Sequence, residues 1–125
     1  MKIIDAISKV DDLKPNRYDE EHKVGWLSNL DLRVKNEIID THEGASETSF
    51  TGYNLDVDKN TKLLVPAPYD EMYIHWLMAQ IDLANGEYNK YNAEITMFNT
   101  EWEDYAKHYN CTHMPITQGK KRFLF

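Results

Sequence analysis

Residues 88–110 read YNKYNAEITMFNTEWEDYAKHYN, which places Tyr88, Tyr91, Ile95, Phe98, Trp102, Tyr105 and Tyr109 at intervals of 3, 4, 3, 4, 3 and 4. That spacing returns each member to one face of an α-helix. Six of the seven are aromatic, where a coiled-coil seam takes Leu, Ile or Val. Aromatic rings are wide, and Tyr and Trp carry polar tips. This face is expected to pack on other helices, with hydroxyls reaching the edge of the core or a neighbouring subunit. It points to an assembly protein more than to an enzyme.

Just upstream, Asn85-Gly86 tolerates a left-handed backbone and so ends a helix. A third helix is expected over residues 69–85, forming a tight antiparallel hairpin with the seam helix. Pro68 suits a first helical position, and Asp70 and Glu71 complement the dipole. One stripe holds Ile74, Leu77, Ile81 and Ala84; another holds Tyr73 and Trp76, with Met72 nearby. A helix apolar on two sides is buried on two sides. Ile74, Leu77, Ile81, Ile95, Phe98 and Trp102 are the expected centre of the core. Tyr73 and Trp76 are expected at a protomer–protomer contact, where aromatic anchors dominate binding.

Toward the N-terminus, Ile3, Ile4, Ile7 and Val10 predict a short amphipathic helix over residues 2–12. Pro15 interrupts it. Asn16 is the expected N-cap of a second helix over residues 17–39, with Val24, Leu27, Leu30, Val34 and Ile38 inward. Residues 40–62 are rich in Gly, Ser, Thr, Asp and Asn and read as a long exposed loop. Leu63-Leu64-Val65 suggests a short strand, paired with residues 48–53 in a small hairpin. The expected fold is mainly α, about four helices plus a small β element or extended loop. A helical domain covers residues 1–115, followed by a tail at residues 116–125.

The chain carries 14 Lys and Arg against 21 Asp and Glu, a net charge of −7. Removing Lys120, Lys121 and Arg122 leaves residues 1–119 at −10, since −7 − 3 = −10. An acidic body repels phosphate and makes a poor nucleic-acid ligand. The single cysteine, Cys111, excludes an internal disulfide and fits a reducing compartment. No apolar run has transmembrane length. Asp5 stands where a signal peptide needs apolar residues, so secretion by that route is not expected.

His108, Cys111 and His113 invite a metal reading, but His113 leaves the helical face shared by the other two, and zinc needs three or four converging ligands. Asp56, Asp58 and Asn60 imitate a calcium loop, yet Thr61 replaces the turning Gly and Ala67 the closing Glu. Glu101, Glu103 and Asp104 read as the solvated face of a helix. No nucleophile-and-base motif, phosphate loop or metalloprotease motif is present. No catalytic residue, cofactor or metal is therefore expected, and the chain is not read as an enzyme. The tail sets Lys120, Lys121 and Arg122 beside Phe123, Leu124 and Phe125. That combination suits an anchor inserted into a partner groove.

The segment from Leu63 through Asp82, with the run Tyr91-Asn92 through Met97-Phe98-Asn99, resembles small head-to-tail connector, or neck adaptor, proteins of tailed phages and prophages of Gram-positive bacteria. The resemblance covers residues 60–115. It implies a helical protomer in a homo-oligomeric ring, typically of about twelve copies, beneath the portal protein. It also implies a C-terminal segment reaching into the portal and a body that meets the next neck or tail-completion protein. DNA would pass through without specific binding, and no membrane is involved. The expected location is the virion neck, with the host cytoplasm during assembly. Another small phage assembly or tail-completion factor is the alternative, as is a small acidic protein-binding regulator.

Overall fold

A computed structural model of the chain describes residues 1–41, 50–54 and 56–112. Its fold is mainly α, with four α-helices: α1 (Ile3–Leu13), α2 (Glu20–Val34), α3 (Met72–Ala84) and α4 (Tyr88–Thr112). A π-helical turn, Lys35–Ile39, prolongs α2, and a 3-10 turn, Tyr69–Glu71, leads into α3.

The first helix buries Ile3, Ala6, Ile7 and Val10 along one stripe and leaves Ile4 exposed. Its first turn is capped from a distance. The N–H groups of Ile3 and Ile4 donate to the carbonyls of Thr61 and Lys59, each at 3.0 Å, so two of the orphan donors at the helix start are satisfied by a loop. Asp19, rather than Asn16, caps α2: its carboxylate accepts the His22 N–H at 3.2 Å. Asn16 is used three residues earlier, where its side-chain oxygen accepts the Tyr18 N–H at 3.1 Å and shapes the turn after α1. All five expected inward residues of the second helix, Val24, Leu27, Leu30, Val34 and Ile38, are buried.

The third helix is central and packs on α1, α2 and α4. It buries Met72, Tyr73, Ile74, Leu77, Ala79 and Ile81. Asp82 at its end is also buried, and Lys14 reaches it with hydrogen bonds of 2.6 and 2.7 Å. The stop at Asn85-Gly86 follows the left-handed helix ending: Gly86 has φ +76°, Gly86 N–H donates to Leu83 O at 3.1 Å, and Glu87 N–H donates to Asp82 O at 2.8 Å. The chain then reverses at once into α4. Contacts of Trp76 with Phe98 and of Tyr69 with Tyr105 show the antiparallel register.

With 25 residues, α4 is about 37 Å long at 1.5 Å per residue, roughly twice α3. The seam is therefore not covered evenly. Phe98 and Tyr105 are buried, Tyr91, Ile95, Trp102 and Tyr109 are half-buried, and Tyr88 is 64 % exposed. No strand forms among the described residues; the nearest feature is one isolated antiparallel bridge between Lys2 and Lys62. Residues 63–65, expected as one arm of a hairpin, form irregular loop instead. Two of their backbone donors are taken by side chains: Leu64 N–H donates to Asp31 and Val65 N–H to Tyr73.

Candidate functional site

Asp31 lies on the inward face of α2, in register with Val24, Leu27 and Val34, and is fully buried. A bare carboxylate in such a place is costly unless donors surround it. Three do. Tyr73 OH donates to Oδ1 at 2.6 Å, Leu64 N–H donates to Oδ2 at 3.1 Å, and Tyr53 OH donates to Oδ2 in a short hydrogen bond. Tyr73 OH in turn accepts Val65 N–H at 2.8 Å. No Lys, Arg or His forms an ion pair with Asp31 among the described residues. Burial pushes the Asp31 carboxyl above its usual range, although the two phenols and the Leu64 N–H pull the other way. Burial and the adjacent carboxylate together push both Tyr53 and Tyr73 well above the normal phenol range.

The cluster ties three distant parts of the chain together: α2, the loop after it, and α3. Its donors and acceptors are turned on one another, so it acts as a clasp. Tyr105 stands close by, and burial, helped by Tyr109 and Asp31, pushes its phenol up to about 12. An alkaline titration tests this arrangement. Of the eight tyrosines, Tyr53, Tyr73 and Tyr105 are expected to stay protonated past about pH 10, while an unfolded chain ionises all of them. The folded state then holds more protons than the unfolded one. The stability from these phenols is complete below about pH 10 and is lost as pH climbs through their raised values. Tyrosinate absorbance should thus rise in two steps, the second coinciding with loss of helical circular dichroism. A single step near pH 10 with the helices intact would contradict the buried phenols.

Tyr73, expected at a contact between protomers, is 0 % exposed and belongs to the protomer's own core. The second apolar side of α3 is covered from within the chain. Trp76 is half-buried: its Nε1–H donates to the Trp26 carbonyl at 2.9 Å and its ring lies 5.1 Å from Phe98. Around it runs a band of rings, half-buried except for the buried Phe98. Tyr18 meets Trp26 edge-on at 5.6 Å, Phe98 meets Trp102 at 6.0 Å, and the Arg33 guanidinium lies 5.0 Å above Trp102. Such a cation over an indole face is attracted by the ring quadrupole.

The remaining motif residues are accounted for locally. Glu101 is bonded to His75 Nδ1 at 2.5 Å, a half-buried pair that links α4 to α3; burial raises the Glu101 carboxyl and His75 opposes it. Glu103 and Asp104 are exposed on α4. His108 stacks on Tyr69 at 4.8 Å, Cys111 is exposed, and no group of three metal-ligating side chains converges among the described residues. His113 lies outside them. Asp56 N–H donates to the Asn54 side chain at 3.1 Å and Asn60 N–H to Asp58 at 2.9 Å, so this stretch forms polar turns. The tail residues Lys120, Lys121, Arg122, Phe123, Leu124 and Phe125 lie outside the described residues.

Sequence reasoning misses Asp31. The signal is its register: it stands four residues after Leu27 and three before Val34, an acid set into the apolar stripe of α2. No protein-family model, curated protein or solved structure matches the chain.

Proposed function

We propose that the chain is a structural virion protein of a tailed phage, joining the portal of the head to the tail as an oligomeric ring through which DNA passes. The observation that carries this reading is the resemblance of residues 60–115 to the connector family. A helical protomer with a long C-terminal helix hairpin suits it. So does the acidic body, because a like-charged channel wall lets DNA slide without sticking. No helix among the described residues is long and apolar enough to cross a membrane. The tail, with Lys120, Lys121 and Arg122 beside Phe123, Leu124 and Phe125, is the proposed portal anchor, and Trp76 remains a candidate at the protomer contact.

Mass measurement of the purified chain with and without its portal ring tests the reading. The expected outcome is a monomer alone and many copies per ring when the portal is present. A chain that ignores the portal defeats the proposal, and one that binds a basic protein one-to-one favours the acidic regulator instead. Deleting residues 120–125 should weaken docking at least about tenfold while leaving the unfolding midpoint unchanged, because buried aromatic anchors dominate interface energy. Reversing the charges of Lys120, Lys121 and Arg122 should slow docking and weaken it less. Unchanged docking by the truncated chain would remove the anchor.

A further inference from the structure

The loop after α2 is held in an unusual way. Its residues 50–54 and 56–65 run as a strap over the helices with no ladder of their own. At its near end, Tyr53 N–H donates to Ser28 Oγ at 2.9 Å, and Tyr53 OH donates to Asp31. The backbone comes so close there that a Cβ on Gly52, which has φ +93°, would lie 2.3 Å from Ser28 Oγ. At its far end, Leu64 N–H donates to the same Oδ2 of Asp31, and Val65 N–H reaches Oδ1 through Tyr73 OH. One carboxylate therefore closes a loop whose ends are eleven residues apart, since 64 − 53 = 11.

Between those ends the strap is tied mainly to α1. Thr61 and Lys59 carbonyls accept the Ile3 and Ile4 N–H groups, and Leu63 N–H donates to Met1 O at 2.9 Å. Lys59 also pairs with Glu20 at 3.1 Å, but Glu20 is mostly in solvent and Lys59 only half-buried, and such rim pairs contribute little. The α3–α4 hairpin is built from different contacts: Trp76 on Phe98, Tyr69 on Tyr105 and His75 on Glu101. Segments with few buried contacts of their own open as local units.

We propose that Asp31 is a latch: the strap and the first turn of α1 open together as one unit, from a helical body that stays folded, and the Asp31 carboxylate controls that opening. Asparagine cannot replace it. Its amide nitrogen would face a donor at one of the two oxygen positions. If it faces Tyr73 OH, that hydroxyl already accepts from Val65 and loses the acceptor for its own proton. If it faces Leu64, two N–H groups oppose each other.

Hydrogen exchange of the full chain, followed residue by residue, tests the latch with Asp31→Asn and the milder Tyr53→Phe, which removes one hydrogen bond at the rim. Asp31→Asn should speed exchange at Leu63, Leu64, Val65, Ile3 and Ile4 by at least about tenfold, because hydrogen bonds to a charged group are the stronger kind. Amides of Leu77–Ile81 and of Phe98–Tyr105 should stay more protected than the strap in every variant, because they exchange only when the helical body itself unfolds. Tyr53→Phe should give the same pattern at smaller size. Strap exchange unchanged in both variants overturns the proposal. So does a strap whose amides are as protected as those of the body, or an Asp31→Asn chain that does not fold, because either makes the strap part of the body's core. Faster exchange in the strap with Ile3 and Ile4 unchanged would show that α1 does not open with it, and would equally overturn the single unit.

Discussion

Phe98→Ala should lower the free energy of unfolding by about 3–5 kcal/mol, the range for removing a fully buried aromatic ring. Phe98 is 2 % exposed and sits between Trp76 at 5.1 Å and Trp102 at 6.0 Å. Truncation removes the ring from a packed site and leaves a cavity. The neighbours are poorly placed to fill it. Trp76 is held by its hydrogen bond to the Trp26 carbonyl, and Trp102 lies beneath Arg33. Urea unfolding followed by circular dichroism measures the loss. Tyr88→Ala, at the N-terminal end of the same seam, should change stability by no more than about 0.5 kcal/mol because the residue stands in solvent. If Phe98→Ala cost less than about 1 kcal/mol, the α3–α4 interface would have to be softer than its packing implies.

The contrast between those two residues shows where sequence reasoning stops. Helical periodicity finds the five apolar residues on the buried face of α2, though not the Asp31 set among them, because that face is covered along its whole length. It also finds the turn at Asn85-Gly86, where a left-handed position explains the residue choice. On α4 the same periodicity marks seven positions as equivalent, yet the helix outruns its 13-residue partner. Which seam residues are buried depends on partner length, a tertiary fact that the spacing does not carry. Tyr73 is misplaced for a related reason. Two apolar sides on α3 announce two partners, but not whether the second partner is another helix of the same chain. Here it is: α3 meets α1, α2 and α4.

The strap is harder still. Leu63-Leu64-Val65 is an apolar run with a β-branched end, but strand propensity expresses the fit to a pleated, half-buried surface and yields to context. The context is Asp31 and Tyr73, 33 and 8 residues away from the amides they bind. No local pattern links a lone acid on one helix to a phenol on another. The cap of α2 is the same difficulty on a smaller scale. Asn16 and Asp19 are both good capping residues, and the choice falls to Asp19 because Asn16 is occupied in the turn that carries the chain from α1.

Tyr73→Phe isolates the polar part of that clasp, because the ring and its packing stay. The hydroxyl makes two buried hydrogen bonds, one given to Asp31 at 2.6 Å and one received from Val65 N–H at 2.8 Å. Losing a bond to a charged group costs about 1.5–3 kcal/mol, and an orphaned buried N–H adds about 1–3 kcal/mol. Relaxation recovers part of this, so an overall loss of about 3 kcal/mol is expected. Tyr53→Phe should cost less, about 1–2 kcal/mol, because it removes one hydrogen bond, orphans no backbone donor, and leaves Leu64 N–H still serving Oδ2. The loss at Tyr73 should also depend on pH. Burial already raises the Asp31 carboxyl above its unfolded value, so the folded state favours the proton, and the stability tied to that proton is lost as pH rises through the folded value. Removing a donor from the carboxylate raises that value further. The penalty of Tyr73→Phe should therefore be larger at about pH 7 than at about pH 4, because it grows as pH rises through the raised Asp31 value. Denaturant unfolding of both variants at the two pH values decides the matter. A penalty that is constant with pH, or one that is larger for Tyr53→Phe than for Tyr73→Phe, would mean that the carboxylate does not depend on the Tyr73 hydroxyl.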